Sequence, residues 1–260
     1  MALRKCRPDW TVRLWARTAA SVTRIQTIFP EVTTDLATAA QGADLCVLCT
    51  PVSAMPALAE SLAPHLSANA VVTDAGSTKA NLVQTLAHLL PDRFVGSHPM
   101  AGSDRSGFDA ARADLFEDAI TILTPTANTS PRALEAARDL WLAVGSRTVE
   151  MSPEAHDAAV ARISHLPHAA AAALVNAISP EGSRELLALA GGGYRDSTRI
   201  AASPPALWSE IFLENQSAVV AGLDDLTAAL NELSGLIRAQ DGPGIEAFLA
   251  KAKTTREFLR

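Results

Sequence analysis

Three short segments bring together side chains that move protons and hold carboxylates. His98 lies in Gly96-Ser-His-Pro-Met-Ala-Gly102. Imidazole titrates near neutrality, so this ring can accept a hydroxyl proton at cellular pH, although a histidine in a turn can also be purely structural. Ser77 lies in Asp74-Ala-Gly-Ser-Thr-Lys79, ahead of a helical stretch read as Ser77 to Leu90. Its hydroxyl can serve a neighbouring base, cap that helix, or do both. Arg199 ends Gly191-Gly-Gly-Tyr-Arg-Asp-Ser-Thr-Arg199. A guanidinium fork grips a carboxylate through two parallel hydrogen bonds, which Lys cannot reproduce. His165 and His168 flank Leu166-Pro167 where an Ala-rich helix begins. Cys46 and Cys49 form a C-x-x-C, but no second pair at ligand spacing completes a metal site, so both are expected as buried strand cysteines.

The elements that must position these groups follow from periodicity. Apolar runs at Thr11 to Trp15, Leu45 to Cys49, Ala70 to Thr73, Arg93 to Gly96 and Ala119 to Leu123 read as strands, which places His98 just past the fourth. Helical stretches such as Pro131 to Val144 lie between most of them, giving βα units around a largely parallel, doubly wound sheet over residues 1–151. After Ser152 the sequence turns Ala-rich and then amphipathic, at Leu207 to Leu236 and Gly244 to Leu259, so residues 152–260 read as an all-helical domain. The apolar surface of those runs predicts a homodimer through this half.

The chain has 260 residues, a formal charge of −6 and 48% hydrophobic residues. That balance suits a globular protein in a reducing, cytoplasmic setting; it excludes a basic nucleic-acid binder, and no apolar run looks long enough to span a membrane. Six basic residues against one acid in the first 29 imitate a transit peptide, yet Trp10-Thr-Val-Arg-Leu-Trp15 alternates as a half-buried strand does.

Together, the four segments around Ser77, His98, His168 and Arg199 closely resemble the prephenate and arogenate dehydrogenases of tyrosine biosynthesis, in order, from residue 1 to about 240. The resemblance implies a Rossmann-like domain followed by a helical dimerisation domain, and NAD- or NADP-dependent oxidative decarboxylation of prephenate to 4-hydroxyphenylpyruvate. It implies His98 as the catalytic base and Ser77 as a hydroxyl bridging it to substrate or nicotinamide. His168, Arg199 and Gly193 would meet the substrate, with Asp104 and Asp196 holding or gating the arginine. Thr50, Pro51, Val52 and Asp74 would stand on the cofactor side. Family members often carry an acid after the first of these strands, whereas this chain has Ala16-Arg17-Thr18; Arg17 would suit the 2′-phosphate of NADP.

The usual glycine-rich loop between a first strand and a first helix is missing from the sequence. The first glycine is Gly42, and the G-x-G-x-x-A at Gly242 to Ala247 follows a helical stretch, where a turn between helices is expected. Residues 1–5 read as the end of the helix that would follow such a loop. The expectation is therefore a chain lacking about 15 residues, a central strand with its loop, and binding dinucleotide poorly. Three alternatives stand beside the main reading: an arogenate dehydrogenase, a non-catalytic paralogue that has lost its cofactor site, and a β-hydroxyacid or imine reductase. The intact Ser77, His98, His168 and Arg199 speak against decay.

Overall fold

The computed structural model describes residues 1–102, 107–178 and 184–258. In chain order the elements are α1 (Ala2–Cys6), β1 (Leu14–Trp15), α2 (Ala19–Ile25), β2 (Val32–Thr33), α3 (Leu36–Ala40), β3 (Leu45–Leu48), α4 (Met55–Leu62), β4 (Val71–Asp74), α5 (Ala80–Leu89), β5 (Phe94–Pro99), β6 (Ile120–Thr124), α6 (Pro131–Ala143) and β7 (Arg147–Glu150). Then follow α7 (Pro153–Val160), α8 (Leu166–Ile178), α9 (Arg184–Ala188), α10 (Gly192–Thr198), α11 (Pro205–Glu214), α12 (Gln216–Arg238) and α13 (Gly242–Glu257). By packing, they form two compact units, Met1–Asn215 and Gln216–Arg260.

Strands β3 to β7 make one sheet in sequence order. All neighbours run parallel except β5 and β6, whose antiparallel ladder pairs His98 with Ile122. That ladder carries β5 on to Pro99, so His98 lies inside the strand and not just past it. Strand β7 was not anticipated, because Arg147-Thr-Val-Glu150 has little apolar character. Consecutive residues of one strand serve opposite cores: Phe94 packs with Leu82, Val83 and Leu86 of α5, while Val95 packs with Ala137, Leu140 and Trp141 of α6. Helices thus cover both faces, and the sheet is doubly wound.

Strands β1 and β2 form a separate parallel pair. Among the described residues no ladder joins this pair to β3, and residues 2–6 are helical as expected. The break falls where the usual order of such sheets holds a strand and its glycine loop. Cys46 on β3 is consequently only partly buried and Cys49, just beyond it, is exposed, contrary to the expectation of two buried cysteines.

Helices α7 and α8 are continuous through a π-helical turn at Ala161–His165. The resulting run, Pro153–Ile178, is 26 residues long and by length and composition could cross a bilayer, which corrects the expectation drawn from uninterrupted apolar stretches. The run passes that test because alanine counts as apolar; it also carries His156, Asp157 and His165, all buried in the fold. The amphipathic stretch from Leu207 breaks at Asn215, giving α11 and α12.

Candidate active site

The C-terminal ends of β4 and β5 form the floor of the site. Asp74 and Lys79 are each 0% exposed, and Lys79 Nζ donates to Asp74 Oδ2 at 2.6 Å and to the carbonyls of Gly76 and Thr78. Asp74 also accepts from Gly76 N through Oδ2 and from Ser97 N through Oδ1. With both oxygens engaged inside the protein, Asp74 shapes the 74–79 loop, so any part it plays on the cofactor side is through that loop's backbone. Below it, Thr73 Oγ1 donates to the Val95 carbonyl, and Ser97 Oγ meets both Thr73 Oγ1 and Trp141 Nε1. A buried ion pair is tolerated only with such saturation of its remaining hydrogen-bonding capacity.

Ser77 sits partly buried in this loop. It does not cap the following helix. Helix α5 begins at Ala80, and its first amides are taken up by a residue distant in sequence: Lys79 N and Ala80 N donate to Asp157 Oδ1 and Oδ2 at 2.8 and 2.9 Å. A carboxylate at a helix N-terminus satisfies orphan amides and complements the helix dipole.

His98 Nδ1 lies 2.8 Å from His156 Nε2, and His156 Nδ1 lies 2.8 Å from Asp157 Oδ1. His156 is 0% exposed and Asp157 6%. Burial pushes the His98 pKa well below the ordinary histidine value, and the positive charge of Lys79 together with His156 and His165 acts in the same direction. For Asp157 burial works upward, but hydrogen bonds from His156, Ala80 and Lys79 prevail and hold its carboxyl below the ordinary value. His98 is therefore a neutral imidazole at cellular pH, as a proton acceptor must be.

His165 is 1% exposed; Asn215 Nδ2 lies 3.2 Å from its Nδ1 and donates to the Asp157 carbonyl at 2.8 Å. Burial lowers the His165 pKa to about 4. His168 stacks on Trp208 of α11, ring centroids 3.4 Å apart and planes 19° from parallel, and its Nδ1 meets the Ser164 carbonyl at 3.1 Å. Burial lowers the His168 pKa, and the nearby Arg199 guanidinium adds to this against the Ser164 hydrogen bond. Arg199 is exposed in the short helical turn after α10, a turn packed on α8.

The structure thus brings Lys79 within electrostatic reach of His98 and Arg199 within reach of His168, with Ser77 on the loop that Lys79 anchors. Gly193 and Asp196 lie exposed on α10, and a Cβ at Gly193 would meet nothing within 4 Å. Asp104 falls outside the described residues. Sequence reasoning missed His156, Asp157, Trp208 and Glu210. His156-Asp157 sits within an ordinary helical register and offers no motif; only the fold reveals its neighbour, His98.

On the cofactor side, Thr50, Pro51 and Val52 follow β3. Thr50 Oγ1 is buried with no hydrogen-bond partner, and a Cβ on Gly76 would stand 2.7 Å from Val52 Cγ2, so this loop closes directly on the one carrying Ser77. Ser53 N donates to Glu210 Oε1 at 2.7 Å. An orphan hydroxyl at the end of a strand, beside the loop that carries Ser77, fits the nicotinamide ribose end of a dinucleotide. Arg17 stands exposed beyond β1, next to Thr18, whose hydroxyl caps α2.

A doubly wound sheet with such a strand-end site, followed by helices that supply further site residues, defines an NAD(P)-dependent dehydrogenase. The sequence profile for the nucleotide-binding domain of prephenate dehydrogenase matches residues 2–150, and that for its dimerization domain matches residues 152–251. A cyclohexadienyl dehydrogenase of Zymomonas mobilis subsp. mobilis is 39% identical over 259 residues, 97% of this chain and 88% of the relative. A prephenate dehydrogenase of Bacillus subtilis is 38% identical over 220 residues, 82% of this chain but 59% of the relative. The crystal structure of prephenate dehydrogenase from A. aeolicus, in complex with hydroxyphenyl propionate and NAD+, superposes with a TM-score of 0.92 at 34% identity, covering 100% of this chain and 92% of that one. The chain belongs to the prephenate dehydrogenase family.

Proposed function

We propose that this chain converts prephenate to 4-hydroxyphenylpyruvate and CO2, with residues 1–151 as its dinucleotide-binding domain and 152–260 as its substrate and dimerisation domain. The observation that carries this reading is His98 near the C-terminal end of β5, held through its Nδ1 by the buried His156–Asp157 pair, with His168 stacked on Trp208 and Arg199 near it available for a carboxylate. NAD(P) supplies the hydride acceptor for C4–H. His98 takes the C4 hydroxyl proton as that hydride leaves. The ring carboxylate then departs as CO2, its electron pair makes the ring aromatic, and the proton returns to the phenolic oxygen. Ser77 orients the hydroxyl, and Arg199 with His168 holds a substrate carboxylate, Asp196 and Gly193 bordering it. Thr50, Pro51 and Val52 receive the nicotinamide ribose, and Arg17 favours NADP over NAD.

Exposed Leu189, Leu213, Leu230 and Ile237, together with the dimerization-domain match, support a homodimer through the helical half. We place the enzyme in the cytoplasm, in keeping with a chain of three cysteines in which no disulfide is seen.

The test is NAD(P)H formation from prephenate, then arogenate, followed from pH 4 to 9, beside fluorescence titration of NADH and NADPH. Activity with prephenate should persist below pH 6.5, because depression of the His98 pKa keeps the base deprotonated there. Tighter binding of NADH than NADPH would remove the role given to Arg17. Folded protein that binds dinucleotide but turns over neither substrate would point to a non-catalytic paralogue.

A further inference from the structure

We propose that Asp157, acting through His156, is the positioning residue that fixes both halves of the proton-transfer pair: it sets which nitrogen of His98 is basic and anchors the loop that carries Ser77. The inference rests on the proposed role of His98 as the base.

The argument starts from what each atom can do. An ionised carboxylate only accepts hydrogen bonds, so across the 2.8 Å contact His156 Nδ1 must donate to Asp157 Oδ1. A neutral ring with a proton on Nδ1 carries a lone pair on Nε2. His156 Nε2 therefore accepts, and His98 Nδ1, 2.8 Å away, donates. His98 is left with its lone pair on Nε2, the nitrogen that takes the substrate proton. After proton uptake the imidazolium has Nδ1–H aimed at His156, with the Asp157 charge behind it. The same carboxylate receives Lys79 N and Ala80 N, the first amides of α5, and so ties down the C-terminal end of the 74–79 loop. Other ionisable groups near His98 are Lys79, paired with Asp74, and His165; the first would repel the imidazolium, so the Asp157 charge opposes it.

His156 leaves the route open to a clean test, because its side chain reaches only His98 and Asp157 among the hydrogen bonds described. A Gln at 156 can still accept from His98 Nδ1–H through its carboxamide oxygen, whereas a Leu cannot. The experiment is 15N NMR of histidine-labelled protein, with His98 assigned from an H98Q sample, in wild type, His156→Gln, His156→Leu and Asp157→Asn. Initial-rate kinetics across pH and thermal melts accompany it. Wild type and H156Q should show His98 protonated at Nδ1, and H156L should lose that preference. H156L should lower kcat by ~100-fold, the lower end of what a positioned acid–base group contributes, with little change in KM and with much of the loss recovered in H156Q. Asp157→Asn should perturb both the His98 tautomer and kcat. A merely structural role would lower the melting temperature while leaving the tautomer and the shape of the pH profile unchanged, and that result would overturn the proposal. So would His98 carrying its proton on Nε2 in the wild type. The tautomer is read without turnover, so wild-type protein with the expected tautomer but no activity on prephenate would sink the proposed reaction and leave the positioning role standing.

Discussion

Strands β3 and β4 are neighbours of equal length, paired residue for residue from Leu45 with Val71 to Leu48 with Asp74. Leu45-Cys-Val-Leu48 is wholly apolar and Val71-Val-Thr-Asp74 is not, yet β4 is buried throughout and three of the four β3 residues are only partly buried. Burial here follows from neighbours, not from side-chain type. Strand β4 has β3 on one side and β5 on the other, with helices over both faces; β3 has a ladder on one side only. His98, the proposed proton acceptor, is on one of the enclosed strands, where burial can depress a histidine pKa. The edge strand leads into Thr50-Pro51-Val52, the segment proposed above for the cofactor.

The strongest test of that contrast removes one charge from the enclosed side. Lys79→Met leaves Asp74 buried and without its cation, which typically costs about 3–5 kcal/mol. Val47→Ala on β3, where the side chain is partly buried, should cost about 1 kcal/mol. Urea unfolding of the two variants measures both. Equal losses would mean that the edge is as consolidated as the centre.

A second comparison uses glycine. At Gly96, on β5, a Cβ would stand 2.4 Å from Thr124 Oγ1 and 2.7 Å from Val83 Cγ2, both on β-branched side chains that have little room to turn. Gly96→Ala should cost about 1–3 kcal/mol by overpacking, with a cooperative transition retained. A Cβ at Gly191 meets nothing within 4 Å, and its φ of −83° is one any residue adopts, so Gly191→Ala should leave the unfolding midpoint nearly unchanged. A small loss at Gly96 would show that the enclosed core yields more readily than its packing implies.

How much of this was legible in the sequence depends on the range of the interaction that fixes each feature. The βα alternation, the helical second half and the residues of the four motif segments could be read directly, because local periodicity and motif spacing carry them. The span of β5 could not: Ser97-His-Pro99 joins the strand through an antiparallel partner 22 to 26 residues away. Nor could the start of α5, since the group that satisfies its first amides is Asp157, nearly eighty residues on. Asp74 sits in a legible motif, but its buried ion pair is not legible there, because that pair depends on how the loop folds back over Lys79. Cys46 and Cys49 look like core residues until the free edge of β3 is seen.

The smallest effect expected lies on the open side, at Glu210. Its carboxylate accepts from Ser53 N, an amide in the short helical turn Val52–Ala54 that follows the nicotinamide-ribose segment. Glu210 is carried on α11, the helix that also presents Trp208 to His168, so one helix reaches both the 50–54 loop and His168, the proposed cofactor and substrate sides. Replacing a side chain that caps exposed amides usually costs about 0.5–2 kcal/mol, and water can solvate a partly exposed amide once the carboxylate is gone. Glu210→Ala should therefore hardly move the unfolding midpoint. Its effect should appear in ligand binding: the cost of ordering the 50–54 loop is then met when the dinucleotide binds, weakening NADPH binding several-fold, whereas Glu210→Gln, which keeps an acceptor oxygen, should bind almost normally. Fluorescence titration of the three proteins decides it. A large loss of stability in Glu210→Ala with unchanged NADPH affinity would reverse the contrast, placing the open side of the sheet among the elements that hold the fold together.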